Sequence, residues 1–224
     1  MNRILPIFAA VAVVAVGGWY VFGGQNTVSN TPVNPLAGAA SAQSAEVDTS
    51  TIVDMSQGNP DADVTVIEYA SFTCPHCATF HKGSYKELKA DYIDTGKINF
   101  VYREVFFDRY GLWASMVARC GGQEKYFGIT DLIYAGQSEW SRAGEPAAIV
   151  EELRKIGRLA GIENETLDAC LQDATKAQTL VSWYEENAKS DGIESTPSFI
   201  INGKKYSNMA YSEMKDIIEA ALGN

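Results

Sequence analysis

An α/β fold with a long helical segment set into it follows from three features of the chain. Short apolar runs of strand length stand in its first half and again near its end. A helix-spaced run follows the first of them, and between Phe107 and Asp191 the strand signals stop for about eighty residues. Val64 to Ala70 is the first strand, Ile98 to Val105 the second and Ser198 to Asn202 the third. From Cys74 to about Asp94 the apolar residues fall at helical spacing, with Tyr85, Leu88 and Tyr92 on one face, and Tyr211 to Leu222 repeats that spacing at the end. Strand, helix, strand, then a late strand and helix is a βαβ beginning with an α/β ending. In the intervening stretch Ile149, Leu153, Ile156 and Leu159, then Leu167, Leu171 and Leu180, recur at helical intervals, with Gly144, Pro146 and Gly161 as breakpoints. The expected organisation is therefore an α/β domain built from residues 51–107 and 192–224, interrupted by an all-helical insertion over 108–191.

The front of the chain reads differently. Arg3 is the only charge before Glu46, and Ile4 to Phe22 is an uncharged, mainly apolar run with Trp19 and Tyr20 near its far end. Residues 1–23 are expected to direct export, either as a cleaved signal peptide ending near Ala15-Val16-Gly17 or as a retained anchor. The run is long enough, about 28 Å as a helix, to favour the anchor. Residues 24–50, rich in Asn, Ser, Thr, Ala, Gly and Pro and almost uncharged, read as a flexible linker, because such a composition cannot bury enough apolar surface to order itself. The formal net charge of −10 argues against a nucleic-acid partner and against docking on anionic lipid through a basic patch. No phosphate-cradling glycine loop and no Ser-His-Asp set is evident, and there are two histidines in all, so the sequence calls for no cofactor and no metal.

Cys74-Pro75-His76-Cys77 carries the chemistry. Pro75 suits the first turn of a helix, where its missing N–H costs nothing, which places Cys74 at the helix N-terminus against unpaired backbone donors. The helix dipole, the orphan N–H groups and the His76 imidazole would all favour the Cys74 thiolate, while Cys77, a turn deeper, keeps ordinary thiol character and suits the resolving role. A zinc site is the competing reading, with His81, four residues beyond Cys77, as a third ligand. It lacks a second ligand pair, since Cys120 and Cys170 are far apart, and His81 is expected as a solvated helix residue. Haem attachment fails because Ala78 follows Cys77.

Phe72-Thr73-Cys74-Pro75-His76-Cys77, preceded by Val66-Ile67-Glu68-Tyr69 and followed far downstream by Thr196-Pro197-Ser198-Phe199, resembles the DsbA family of thiol:disulfide oxidoreductases from about Val53 onward. The resemblance implies a thioredoxin fold with a helical insertion and an oxidase that donates a disulfide to exported, folding proteins in the periplasm. It also implies a quinone-linked membrane reoxidant of the DsbB type. It further implies a cis Thr196–Pro197 bond packed against the dithiol, with Thr196 at a position that influences redox strength. Glu68 is either on a solvated strand face or buried beneath the dithiol, and its motif position favours burial. There it, or a water beside it, would take and return a proton as Cys77 titrates. Four cysteines in an exported protein invite a second bridge, and family members with a second pair in the helical domain point to Cys120 with Cys170, worth roughly 4 kcal/mol in the chain-entropy model, against two buried free thiols. The same fold can run as a reductase or isomerase, and a non-enzymatic chaperone-like module is a third reading. With no recognisable N-terminal dimerisation domain, a monomer is expected.

Overall fold

In the computed structural model, which describes residues 47–223, a mixed sheet runs in the order β1-β3-β2-β4-β5. Its strands are β1 (Met55–Gly58), β2 (Val64–Ala70), β3 (Ile98–Glu104), β4 (Ser198–Ile201) and β5 (Lys204–Ser207). The expected export segment, including 4–22, and linker residues 24–46 lie outside the described residues, and no helix among those described is long and apolar enough to cross a membrane. β2 is the central strand, parallel to β3 and antiparallel to β4, which is why it reads as a nearly unbroken apolar run rather than an alternating one: both of its faces are covered. That register sets Glu68 opposite Tyr102 on one side and Phe199 on the other.

The two edge strands carry no hydrophobic run, so periodicity does not reveal them. β5 reads Lys-Lys-Tyr-Ser and is mostly exposed, an edge defended by charge. It is held by a hairpin whose two-residue turn, Asn202-Gly203, takes positive φ at both positions (45° and 80°), as an Asn-Gly pair readily does.

α1 (Pro75–Lys82) starts with Pro75 in its first turn and Cys74 as its N-cap. The single helix expected from Cys74 to Asp94 is broken at Gly83, whose φ of −124° and ψ of −96° leave the helical region. The chain then re-enters α2 (Ser84–Leu88) and a π-helical turn, Lys89–Ile93, which keeps Tyr85, Leu88 and Tyr92 buried as their spacing implies. The insertion comprises α3 (Arg109–Cys120), α4 (Gly122–Ala135), α5 (Gln137–Trp140), α6 (Pro146–Leu159), α7 (Asn164–Gln172) and α8 (Ala174–Ser190), and α9 (Tyr211–Leu222) closes the fold. In α6 the periodic Ile149, Leu153 and Ile156 face the core, but Leu159, the last residue of the stripe, is 76% exposed because the helix ends there. Gly157 lies against α7 so closely that a Cβ would meet Leu167 Cδ2 at 2.5 Å.

One continuous core joins the sheet to the insertion. Phe72, Phe100 and Tyr102 pack in the same buried cluster as Tyr126, Ile129 and Tyr134 of α4. A disulfide links Cys120, at the end of α3, to Cys170 in α7 across 50 residues of sequence. A buried ion pair fastens β3 to α3: Arg119 donates through Nε and a terminal nitrogen to the two oxygens of Glu104, each at 2.7 Å, and Ser115 and Tyr126 hydroxyls donate to the same carboxylate at 3.0 and 2.7 Å. Removing one charge from such a pair strands the other in the interior. Arg119→Met should therefore lower unfolding stability by about 3–5 kcal/mol in chemical denaturation, far more than a surface arginine would.

Candidate active site

The site forms where β2 ends, α1 begins and β4 begins. Cys74 caps α1 with extended backbone angles, is only 8% exposed, and directs its Sγ to the Thr196 carbonyl oxygen at 3.5 Å. Thr196–Pro197 is a cis peptide, and because β4 pairs directly with β2, buried Pro197 stands beside the dithiol. Cys74 and Cys77 are both thiols in this structure.

Their environments push them in opposite directions. The Cys77 thiol donating to the Cys74 sulfur does most to lower the Cys74 thiol to about 5. Burial opposes this, and Thr196 and the backbone N–H groups of Cys77 and His76 add to the lowering. Cys77 is fully buried, and desolvation pushes its thiol far up, helped by donation to Cys74 and by the negative charge of Glu68. One sulfur is thus poised as a thiolate at neutral pH and the other as a thiol. Pro75 and His76 are exposed, and the backbone N–H of His76 is turned to the Cys74 sulfur.

Glu68 is buried, on the inner side of the sheet beneath the dithiol. Its partner is His81, whose Nε2 lies 2.9 Å from Glu68 Oε2. The expectation that His81 is solvated is corrected: it is 2% exposed, because its position four residues after Cys77 puts it on the same inward face of α1. The ring stacks on Tyr134 at 4.3 Å between centroids and tilts against Tyr85 at 4.5 Å.

Two further positioning groups come from the insertion and were not legible in the sequence. Gln137 in α5 donates both of its amide hydrogens, to the carbonyls of Phe72 and Cys74, each at 2.8 Å, so a helical residue sixty-three positions downstream holds the backbone of the reactive cysteine. Asp108 caps α3 by accepting from the N–H groups of Tyr110 and Gly111 and also accepts from the Thr73 hydroxyl at 2.9 Å. Between these contacts a groove of about 400 Å³, lined in part by Thr73, Pro75, Tyr110 and Arg142, opens next to the Cys74 loop.

A low-pKa thiol at a helix terminus, a buried second thiol and a cis-proline strand start form a thiol–disulfide exchange centre. The comparisons with known proteins agree with that chemistry. A family model described as Thioredoxin matches residues 50–220. A Rickettsia bellii protein named as a protein-disulfide oxidoreductase is 37% identical over 170 residues, which are 75% of this chain and 64% of that protein, so the chain matches under two thirds of this relative's length. Disulfide bond formation protein D of Bacillus subtilis is 27% identical over 173 residues, covering 74% of this chain and 75% of that protein. Among solved structures, alpha-DsbA1 of Wolbachia pipientis superposes with a TM-score of 0.71 at 27% identity, covering 76% of this chain and 91% of that one. The helical segment between β3 and β4, the cis-proline beside the dithiol and these matches agree: the chain belongs to the thioredoxin family and is built like the DsbA structures, with a helical segment inserted between β3 and β4.

Proposed function

We propose that the protein is a dithiol oxidase that donates the Cys74–Cys77 disulfide to reduced, folding proteins after export. The observation that carries this reading is the opposed tuning of the two sulfurs, Cys74 lowered to about 5 and Cys77 raised. A stabilised Cys74 thiolate favours the reduced form of the couple and so makes its disulfide a strong oxidant.

In the oxidised enzyme a substrate thiolate attacks Cys74 Sγ. The Cys74–Cys77 bond breaks, a mixed disulfide forms at Cys74, and Cys77 departs and takes up a proton. The second substrate thiol, as thiolate, then attacks the substrate sulfur of the mixed disulfide and expels Cys74, whose low pKa makes it a good leaving group. The substrate has lost two electrons and the dithiol has gained them. Thr196 and Pro197 line the approach to Cys74 and offer backbone groups at the start of β4 to an extended substrate chain. Glu68 serves as the buried proton acceptor and donor for Cys77. Reoxidation falls to a membrane partner of the DsbB type. Periplasmic residence, a tether through residues 4–22 and a monomeric state complete the reading, as does the division into an α/β part (51–107 and 192–224) and a helical part (108–191) whose Gln137 and Asp108 support the active-site loop.

Thiolate absorbance of the reduced protein should titrate with a midpoint near pH 5 and vanish in Cys74→Ser. The sign of the accompanying stability follows from a folded pKa depressed below the ordinary thiol value of 9.0: the reduced protein gains stability relative to the disulfide form as pH rises from about 5 toward 9, and the gain is lost as pH falls back through about 5. A thermal-unfolding comparison of the two redox forms across that window measures it. The couple equilibrated with glutathione should settle between about −180 and −120 mV, and a value near −270 mV would move the protein to the reductase side. Cys74→Ser should abolish oxidation of a reduced substrate. A variant that still promotes its folding without exchange would favour the chaperone-like reading.

A further inference from the structure

We propose that His81 is the relay through which Glu68 trades a proton with solvent each time Cys77 leaves or re-forms its disulfide. The inference rests on the dithiol-exchange reading above and adds to it the route by which the buried half of the couple is served.

Cys77 has no exposed surface, yet each cycle must deliver one proton to its sulfur and remove it again. Glu68 is close enough for its charge to act on Cys77, but it too is completely buried, so it can pass a proton on once and then needs a connection to be reset. The hydrogen-bond partner of Glu68 is His81. Its other ring nitrogen, Nδ1, is buried and meets no protein partner, while the residue lines a cavity of about 230 Å³ whose rim includes the exposed Lys82, Lys86 and Asp131. An imidazole that bonds a buried carboxylate through one nitrogen, leaves the other unpartnered and lines a cavity open to solvent has the two connections a shuttle requires.

The neighbouring tyrosines do not offer an equivalent exit. Tyr102 and Tyr134 hydroxyls bond to each other at 2.6 Å, and Tyr134 donates on to the Ser71 carbonyl, where the chain stops at an acceptor with no proton to pass. Burial also raises both phenols well above their ordinary range. The groups that face His81 are Glu68 from β2, Tyr85 and Lys86 from α2, and Asp131 and Tyr134 from α4, with Lys82 beside it on α1 and Tyr102 behind it on β3.

The step balances without any co-reactant. As Cys77 departs, Nδ1 accepts a proton from cavity water, Nε2 passes its own to the Glu68 carboxylate, and the Glu68 carboxyl proton goes to the sulfur. One proton has crossed from solvent and no electrons have moved. Reoxidation runs the transfers backward and restores the original tautomer. His81 thus acts through Glu68 and does not touch the sulfurs' reaction partners, which makes it a positioning residue rather than a catalytic one.

The test uses the full reduced chain mixed in stopped flow with one equivalent of dithiobisnitrobenzoate. The first coloured thiol released reports attack by Cys74, and the second reports Cys77 displacing the mixed disulfide. In His81→Gln, which keeps a hydrogen bond to Glu68 but cannot titrate, the first phase should match wild type. The second should slow at least about tenfold and keep rising with pH where wild type has levelled off. Both phases unchanged, or both slowed by one factor, would overturn the relay in favour of a packing role. Should the variant not fold, wild type alone decides: the second phase and not the first should slow in deuterated water, and identical second-phase rates in the two solvents would equally overturn it. If wild type releases only the first equivalent, the dithiol reading itself fails and the relay with it.

Discussion

Everything distinctive about this protein depends on the start of α1 lying at the end of the central strand. Pro75 fixes the first turn, so Cys74 must sit at the cap and Cys77 one turn inward, against the sheet. The cap position supplies backbone N–H groups to one sulfur, and the inward position removes the other from water. Two chemically identical side chains become a leaving group and a reserve thiol through a displacement of a single helical turn. The rest of the fold keeps that displacement rigid.

The helical insertion shares this task. Its residues enter the same core as the sheet, through Tyr126, Ile129 and Tyr134, and the Glu104–Arg119 pair anchors α3 to the end of β3. From that fixed position Gln137 holds the Phe72 and Cys74 carbonyls, and Asp108 divides its carboxylate between the α3 terminus and Thr73. The loop that presents Cys74 is thereby tied from the insertion on one side and from β4, through Thr196, on the other. Such over-determination is what keeps a reactive centre in one geometry while its disulfide opens and closes.

A second layer lies underneath. Glu68 and His81 place two titratable side chains inside the core beneath the sulfurs, surrounded by aromatic rings from α2, β3 and α4. Burying such a pair is costly unless the two groups satisfy each other, and they do so through a single hydrogen bond that leaves one oxygen and one ring nitrogen without protein partners. A purely structural role would be served better by apolar side chains of the same volume. The proposed relay accounts for polar groups at this depth.

The sequence by itself determined the α/β class, the strands β2, β3 and β4, the final helix and the dithiol, because these are local: apolar runs, helical spacing and a proline in a first turn are written in adjacent residues. The resemblance to the DsbA family, through the motif position of Glu68, also favoured its burial. The edge strands escaped because pairing, not hydrophobicity, makes them strands, although the Asn202-Gly203 turn was there to be read. The break at Gly83 escaped because the spacing of Tyr85, Leu88 and Tyr92 continues across it. His81 shares the inward face of α1 with Cys77, but that α4 covers this face is not written near it in the chain, and Gln137 and Asp108 are ordinary polar residues until folding brings them against the loop. Only the tertiary structure decided these, because hydrogen bonds and burial across more than thirty residues of separation depend on how helices and sheet pack together, and that leaves no local pattern to find.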